Sequence, residues 1–288
     1  MNEAIQNMLK KYHCHSRQDY TNALKEIFQE IALLGLWRSK FYEKAAFYGG
    51  SALRILYGLD RFSEDLDFTL LAPDADFSLA SYNQAIMDEL NSFGFDVQVI
   101  TKIKNIQSTI QCAFIKASSK KQLLVVEAPT DMIKSLHRMQ QIKIKMEVDI
   151  DPPGKFTTEA KQLSQPISFS VKTLTQPDLF AGKIHAILCR PWKQRVKGRD
   201  WYDFVWYIGR GVPVNLIHLR ERLIQSKAWS ADQALTHQDM VTLLHKKIQA
   251  IDFSQARRDV VPFLNDPQSV ALWSTDFFLT ILNRLVSM

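Results

Sequence analysis

The stretch YGGSALRILYGLDRFSEDLDFTLL, residues 48–71, decides how this chain is read. Gly49 and Gly50 are followed at once by Ser51 and an apolar run, and Asp65 and Asp67 stand two positions apart in residues that otherwise read as core. The first part predicts strand, tight turn, helix: KAAFYGG ends a short buried strand, and SALRILYGL is a helix with Ser51 as its cap. The second part alternates, Leu66 and Phe68 against Asp65 and Asp67, as a strand with one polar face does. Residues i and i+2 of a strand point the same way, about 7 Å apart, so the two carboxylates share a face. Their mutual repulsion asks for bound cations, and hard Mg²⁺ takes carboxylate oxygens together with substrate phosphates. Just upstream, the Gly49-Gly50-Ser51 junction lets backbone N–H groups approach an anion at a helix N-terminus.

Each half also has a plain structural explanation. The acids suit a solvated strand edge with Arg54 or Arg61 as salt-bridge partner, and a lone Gly-Gly-Ser is an ordinary turn. Joined within a few residues, they place a phosphate cradle beside a metal site, a combination far more specific than either part.

A third acid is available downstream. QIKIKMEVDIDPP, from residue 141, alternates Ile142, Ile144, Met146, Val148 and Ile150 with Lys143, Lys145, Glu147, Asp149 and Asp151. This predicts a strand with a charged side, on which Glu147 or Asp149 can complete a three-carboxylate set suited to two-metal chemistry. Residues 17–36 carry the helical period, a second helix is expected around 78–93, and FDVQVITK, STIQCAFIKA and KQLLVVEA read as three strands. Pro152, Pro153 and Gly154 end the charged strand and open a polar loop to about 166. In TQPDLFAGKIHAILCR, Thr175 is a cap, Pro177 the first helical position and Asp178 part of the first turn. Strand-like alternation of any length stops there, so the expected domains are 1–175 and a helical 176–288.

The helix from Pro177 carries Lys183, and RPWKQRVKGRDWYDFVW sets Asp200 and Asp203 on one helical face, opposite an apolar stripe of Trp201, Phe204, Val205 and Ile208. Five cations, Arg190, Lys193, Arg195, Lys197 and Arg199, precede the acids and suit either a solvated loop or a groove for nucleic-acid backbone. The whole chain of 288 residues has a formal charge of +6 and a pI near 9.1, which permits an anionic partner without demanding one. Three scattered cysteines, Cys14, Cys112 and Cys189, argue against a disulfide framework, and Cys112 and Cys189 sit in apolar runs as core residues. With no signal-like start and no long uncharged apolar segment, a cytoplasmic protein without a membrane partner is expected.

At this point a family resemblance enters. FYGGSALRILYGLDRFSEDLDFTLL closely resembles the signature of the AbiEii/AbiGii toxin-like nucleotidyltransferases, aromatic-x-Gly-Gly-Thr/Ser-Ala-Leu-Arg followed by Arg-Phe-Ser-x-Asp-Leu-Asp-Phe. KIHAILCRPWKQRVKGRDWYDFVW is similar to the family's later lysine and Arg-Asp-x-x-Asp motifs, so the resemblance spans roughly residues 44–208. It implies an α+β fold of the DNA polymerase β type, a small mixed sheet flanked by helices and followed by a C-terminal helical domain. Carried over by position, it implies nucleotide-binding roles for Gly49, Gly50, Ser51, Arg54 and Lys183, and Mg²⁺ held by Asp65, Asp67 and Glu147. Asp65, Asp67 and Lys183 would be catalytic, with Asp200 or Asp203 in a catalytic or positioning role. The implied activity moves a nucleoside monophosphate from a nucleoside triphosphate to a hydroxyl, with RNA, at the tRNA 3′ end, as acceptor. The basic 190–199 segment would meet that RNA, and the biological role would be the toxin of a toxin–antitoxin or abortive-infection pair with a cognate antitoxin. Two alternatives remain at this stage: a DxD glycosyltransferase, whose donor site normally uses a larger doubly wound sheet, and a nucleotide-binding module without turnover.

Overall fold

The helical period after residue 16 is met in the computed structural model by a helix Arg17–Arg38. Its start is a reciprocal cap: the Asp19 amide donates to the Ser16 hydroxyl, and the Ser16 amide donates to the Asp19 carboxylate. The structure describes residues 2–102, 108–130, 133, 140–191 and 196–286. These form two compact units, one of Met1–Tyr57, Ser63–Pro152 and Glu159–Thr173, the other of Gly58–Phe62, Pro153–Thr158 and Leu174–Met288. The second unit therefore takes two short segments from before residue 175 as well.

The first unit holds a mixed seven-stranded sheet: β1 Ala45–Tyr48, β2 Leu66–Leu70, β3 Val97–Lys102, β4 Ile110–Ser118, β5 Gln141–Asp149, β6 Thr158–Leu163 and β7 Phe169–Leu174, in the order β3-β4-β5-β2-β1-β7-β6. β2 runs antiparallel to β1 and parallel to β5. The alternation read in the sequence becomes two faces. Ile142, Ile144, Met146 and Val148 of β5, with Leu66 and Phe68 of β2, are buried in a core shared with Ile27, Phe28 and Ile31 of the helix Arg17–Arg38. That helix also packs on the helix Asn83–Ser92, closely enough that a Cβ at Gly35 would lie 2.9 Å from the Ala85 carbonyl oxygen.

Four local expectations are corrected. KQLLVVEA is not a third strand: its first five residues belong to a helix, Ser119–Val125, in which Ser119, Gln122 and Leu123 are buried, a helical spacing continued by Val126 at its end that the polar members conceal. The polar stretch after Gly154 contains β6 at the sheet edge, with Glu159, Lys161 and Leu163 half-buried and Thr158, Ala160 and Gln162 exposed. Ser51 is not a cap, because the helix begins at Gly49. The later helix begins at Gln176, one residue before Pro177.

The second unit is helical: Gln176–Cys189, Gly198–Gly209, Leu216–Gln225, His237–Gln249, Phe253–Val260 and Thr275–Val286 are its main elements. Aromatic rings join them. Phe253 stacks on Phe278 at 4.1 Å, with Trp201 edge-on to both, and Phe180 stacks on Tyr207 at 4.4 Å. Trp201, Phe204 and Ile208 are buried as the apolar stripe requires, with Tyr207 in place of the half-buried Val205.

The helix Arg17–Arg38 carries a buried polar cluster in the first unit. Glu26 accepts from the Tyr12 hydroxyl at 3.0 Å and from Arg54 Nε at 2.9 Å. One turn on, Glu30 is 8% exposed, and its burial, reinforced by the Glu26 charge, pushes its pKa up to about 7 against the pull of Lys11 and Arg54. A carboxyl whose folded pKa is raised binds more protons folded than unfolded, so stability falls as pH rises from about 4.5 to 7. Glu30→Gln stays neutral throughout. It should match the wild type at pH 4 and exceed it by about 3 kcal/mol at pH 8, as read by urea denaturation.

Candidate active site

The face of the sheet opposite the apolar core gathers the acids. β2 and β5 pair in parallel with Asp67 against Glu147 and Thr69 against Asp149. Asp65, one residue before β2, lies by strand period on the same face as Asp67. The register distinguishes the two candidate third acids. Glu147 stands directly beside Asp67, whereas Asp149 is further along and nearly buried, its Oδ1 accepting from the Asp151 amide at 3.1 Å.

The glycine turn joins this face through β1, which pairs Tyr48 with Asp67. Gly49 has φ +83°, and a Cβ there would fall 2.5 Å from Asp67 Oδ2. Only glycine satisfies both the left-handed backbone and the space. Ser51 is fully buried and its hydroxyl donates to the Asp65 carbonyl, fixing the backbone that carries the first acid. Because the helix Gly49–Tyr57 starts on the turn, its first amides have no acceptor within the helix and its dipole favours an anion there. Gly49→Ala should therefore move the Asp67 carboxylate and strain the turn, lowering stability by about 1–3 kcal/mol. Activity and thermal unfolding measured together would show both losses; an active, equally stable variant would contradict the contact.

Two neighbours of Glu147 were not read from the sequence as belonging to the site. Cys112 of β4, paired with Glu147 and only 1% exposed, donates its thiol to Glu147 Oε1 at 3.2 Å. Lys145, two residues before Glu147 on the same face, places Nζ 2.6 Å from Glu147 Oε2. Partial burial opposes the Lys145 charge, but Glu147, then Cys112 and Asp65, outweigh it and raise its pKa. The charged side of QIKIKMEVD already held the signal for Lys145; the Cys112 contact needed the β4–β5 register.

Among the described residues no group of three or more His, Cys, Asp or Glu side chains is gathered to hold a metal ion. The donor chemistry fits Mg²⁺ all the same: Asp65, Asp67 and Glu147 offer oxygen only, and Mg²⁺ commonly takes one or two carboxylates, completing its shell with phosphate oxygens and water. Arg54, on the helix after the turn, directs its Nε to Glu26.

In the second unit, Lys183 of the helix Gln176–Cys189 reaches Asp200 Oδ1 at 2.8 Å and Asp203 Oδ2 at 2.7 Å. Both acids, three apart on the helix Gly198–Gly209, are buried together with the apolar stripe rather than set opposite it. Asp203 is 0% exposed and takes a bidentate pair from Arg61, Nε to Oδ1 and Nη2 to Oδ2, each 2.7 Å. Arg61, the arginine of the Arg-Phe-Ser-x-Asp-Leu-Asp-Phe run, is thus the clamp of Asp203. Asp200 receives Arg190 as well. Burial works against every charge here, yet the opposite charges prevail, holding Asp200 and Asp203 below the usual carboxylate range and raising Lys183 and Arg61. Of the basic segment, Arg199 lies over the Phe263 ring at 4.0 Å, and Lys197 is pushed down, chiefly by burial. Lys193 and Arg195 lie outside the described residues.

Among the described residues no helix is long and apolar enough to cross a membrane. No curated protein matches the chain. Among solved structures, JHP933 from Helicobacter pylori matches with a TM-score of 0.50 at 16% identity, over 92% of this chain and 94% of that one. A candidate nucleotidyltransferase from H. pylori gives a TM-score of 0.48 at 17% identity, over 90% and 94%. The sequence profile of the nucleotidyl transferase AbiEii toxins of type IV toxin–antitoxin systems matches residues 31–280, most of the chain. With the glycine turn seated against the second acid of the DxD strand, the α+β fold and that match agree: the chain belongs to the AbiEii nucleotidyltransferase toxin family.

Proposed function

We propose that the chain transfers a nucleoside monophosphate from a nucleoside triphosphate to a hydroxyl of RNA, at the 3′ end of tRNA, and that this arrests growth unless a cognate antitoxin counters it. The observation that carries the reading is the contact of the Gly49 turn with the Asp67 carboxylate, beside the register partner Glu147. Phosphate-accepting amides and metal-accepting oxygens then adjoin, as a magnesium–nucleotide substrate requires.

In this reading Asp65, Asp67 and Glu147 hold Mg²⁺, and the amides of Gly49, Gly50 and Ser51 receive the phosphates. Bound Mg²⁺ would supply charge neutralisation at the phosphates and lower the pKa of the attacking hydroxyl. In the reaction the hydroxyl gives up its proton to solvent, its oxygen forms a bond to the α-phosphorus in line with the departing oxygen, the α–β phosphoanhydride bond breaks, and pyrophosphate leaves. Ser51 keeps the Asp65 backbone in place. Lys183 is assigned to the nucleotide phosphates and is kept charged by Asp200 and Asp203, as a phosphate-neutralising lysine must be. Asp203, clamped by Arg61, and Asp200, which binds Lys183 and Arg190, are both buried and are assigned positioning roles on Lys183. RNA would be met by the basic 190–199 segment, within a reducing cytoplasm.

The test is to incubate the protein with each α-labelled nucleoside triphosphate, Mg²⁺ and total RNA. Label should enter tRNA and disappear when the 3′ ends are oxidised with periodate beforehand. Label confined to protein, or absent with all four nucleotides, would overturn the acceptor or the activity respectively.

A further inference from the structure

Of the two lysines on the charged side of β5, Lys143 is turned over the Phe114 ring at 4.1 Å, while Lys145 is given to the acids. The parallel register pairs Leu66 with Met146, so Lys145, one residue earlier, lies alongside Asp65, while its ammonium meets Glu147 at 2.6 Å. A lysine between the first and third acids of a three-carboxylate set occupies electrostatically the place a cation would take. It removes repulsion that would otherwise weaken the pairing of β2 with β5.

We propose that Lys145 is a built-in counter-cation that keeps the divalent affinity of Asp65, Asp67 and Glu147 low until a triphosphate arrives. This rests on reading those acids as the metal site. In the nucleotide-free protein the ammonium competes with a divalent ion for Glu147. An incoming triphosphate brings further negative charge, which raises the site's demand for cations and draws the metal in with the nucleotide. Lys145 is therefore a positioning residue acting through Glu147, and its effect is coupling: metal and nucleotide bind together more tightly than either does alone.

The experiment titrates Mn²⁺ alone into the nucleotide-free protein, reading the electron paramagnetic resonance signal of the free ion. Lys145→Met, or Lys145→Gln should the first variant not unfold cooperatively in chelator, should bind Mn²⁺ about tenfold more tightly than the wild type. Lys145→Arg, which restores the charge, should return affinity to within about threefold of the wild type. If the neutral variants bind Mn²⁺ as the wild type does while Asp65→Ala/Asp67→Ala abolishes binding, the counter-cation role fails and the metal site stands. If no form shows Mn²⁺ binding that the double alanine variant removes, both fail.

Discussion

Asp67→Ala should lower nucleotide transfer to RNA by about 10³-fold or more while leaving the cooperative unfolding transition in place. The size follows from position. Asp67 is the central acid of the face: β1 brings Tyr48 and the Gly49 turn to one side of it, and β5 brings Glu147 to the other. Removing its carboxylate takes away a group that lies against the turn and beside another acid, and neither adjacent residue on β2 can substitute, since Leu66 and Phe68 face the core. The backbone ladder is untouched and the lost group is charged, so stability should hold or rise slightly as repulsion with Asp65 is relieved. Single-turnover labelling of tRNA, with circular dichroism as the check on folding, decides the matter. A variant with more than about a tenth of wild-type activity would place the chemistry elsewhere.

Arg61→Met should destabilise the helical unit by about 3–5 kcal/mol, since it leaves a buried carboxylate without its bidentate partner. Among the described residues Asp203 would keep Lys183, which it already shares with Asp200. Tryptophan fluorescence follows this unit in urea, because five of the six tryptophans, Trp192, Trp201, Trp206, Trp229 and Trp273, fall within its sequence range. Arg61→Met combined with Asp203→Leu removes both charges and should recover much of the loss, because the penalty comes from an uncompensated charge and not from the absence of a pair. A loss below about 1 kcal/mol in the single variant would show the pair to be solvent-screened.

These two predictions differ in how far the sequence announces them. The shared face of Asp65 and Asp67, and the charged side of β5 that carries Glu147, were legible because strand alternation fixes which residues share a face, and the sequence of β5 alternates without a break over nine residues. Which of Glu147 and Asp149 stands beside Asp67 was not legible: it depends on whether β2 meets β5 in this register or one shifted by two, and both present an acid. The Arg61–Asp203 clamp joins residues far apart in the chain, and local spacing offered Asp65 or Asp67 as an equally good partner. The helix Ser119–Val125 was missed because Leu123, Leu124, Val125 and Val126 form a continuous apolar run with no visible period, and the polar buried positions Ser119 and Gln122 carry the decisive spacing. β6 was missed for the opposite reason: an edge strand exposing alternate residues needs few apolar ones.

The parallel pairing of β2 with β5 has a consequence for synthesis. A ribosome that has released the chain through Leu70 exposes Asp65, Asp67 and the glycine turn, but the strand bearing Glu147 and Lys145 is still to be translated. Under the proposed chemistry a nascent or prematurely terminated product ending before Gln141 is harmless to its host, and toxicity must wait until translation has passed not only Glu147 but also Lys183 and Asp203.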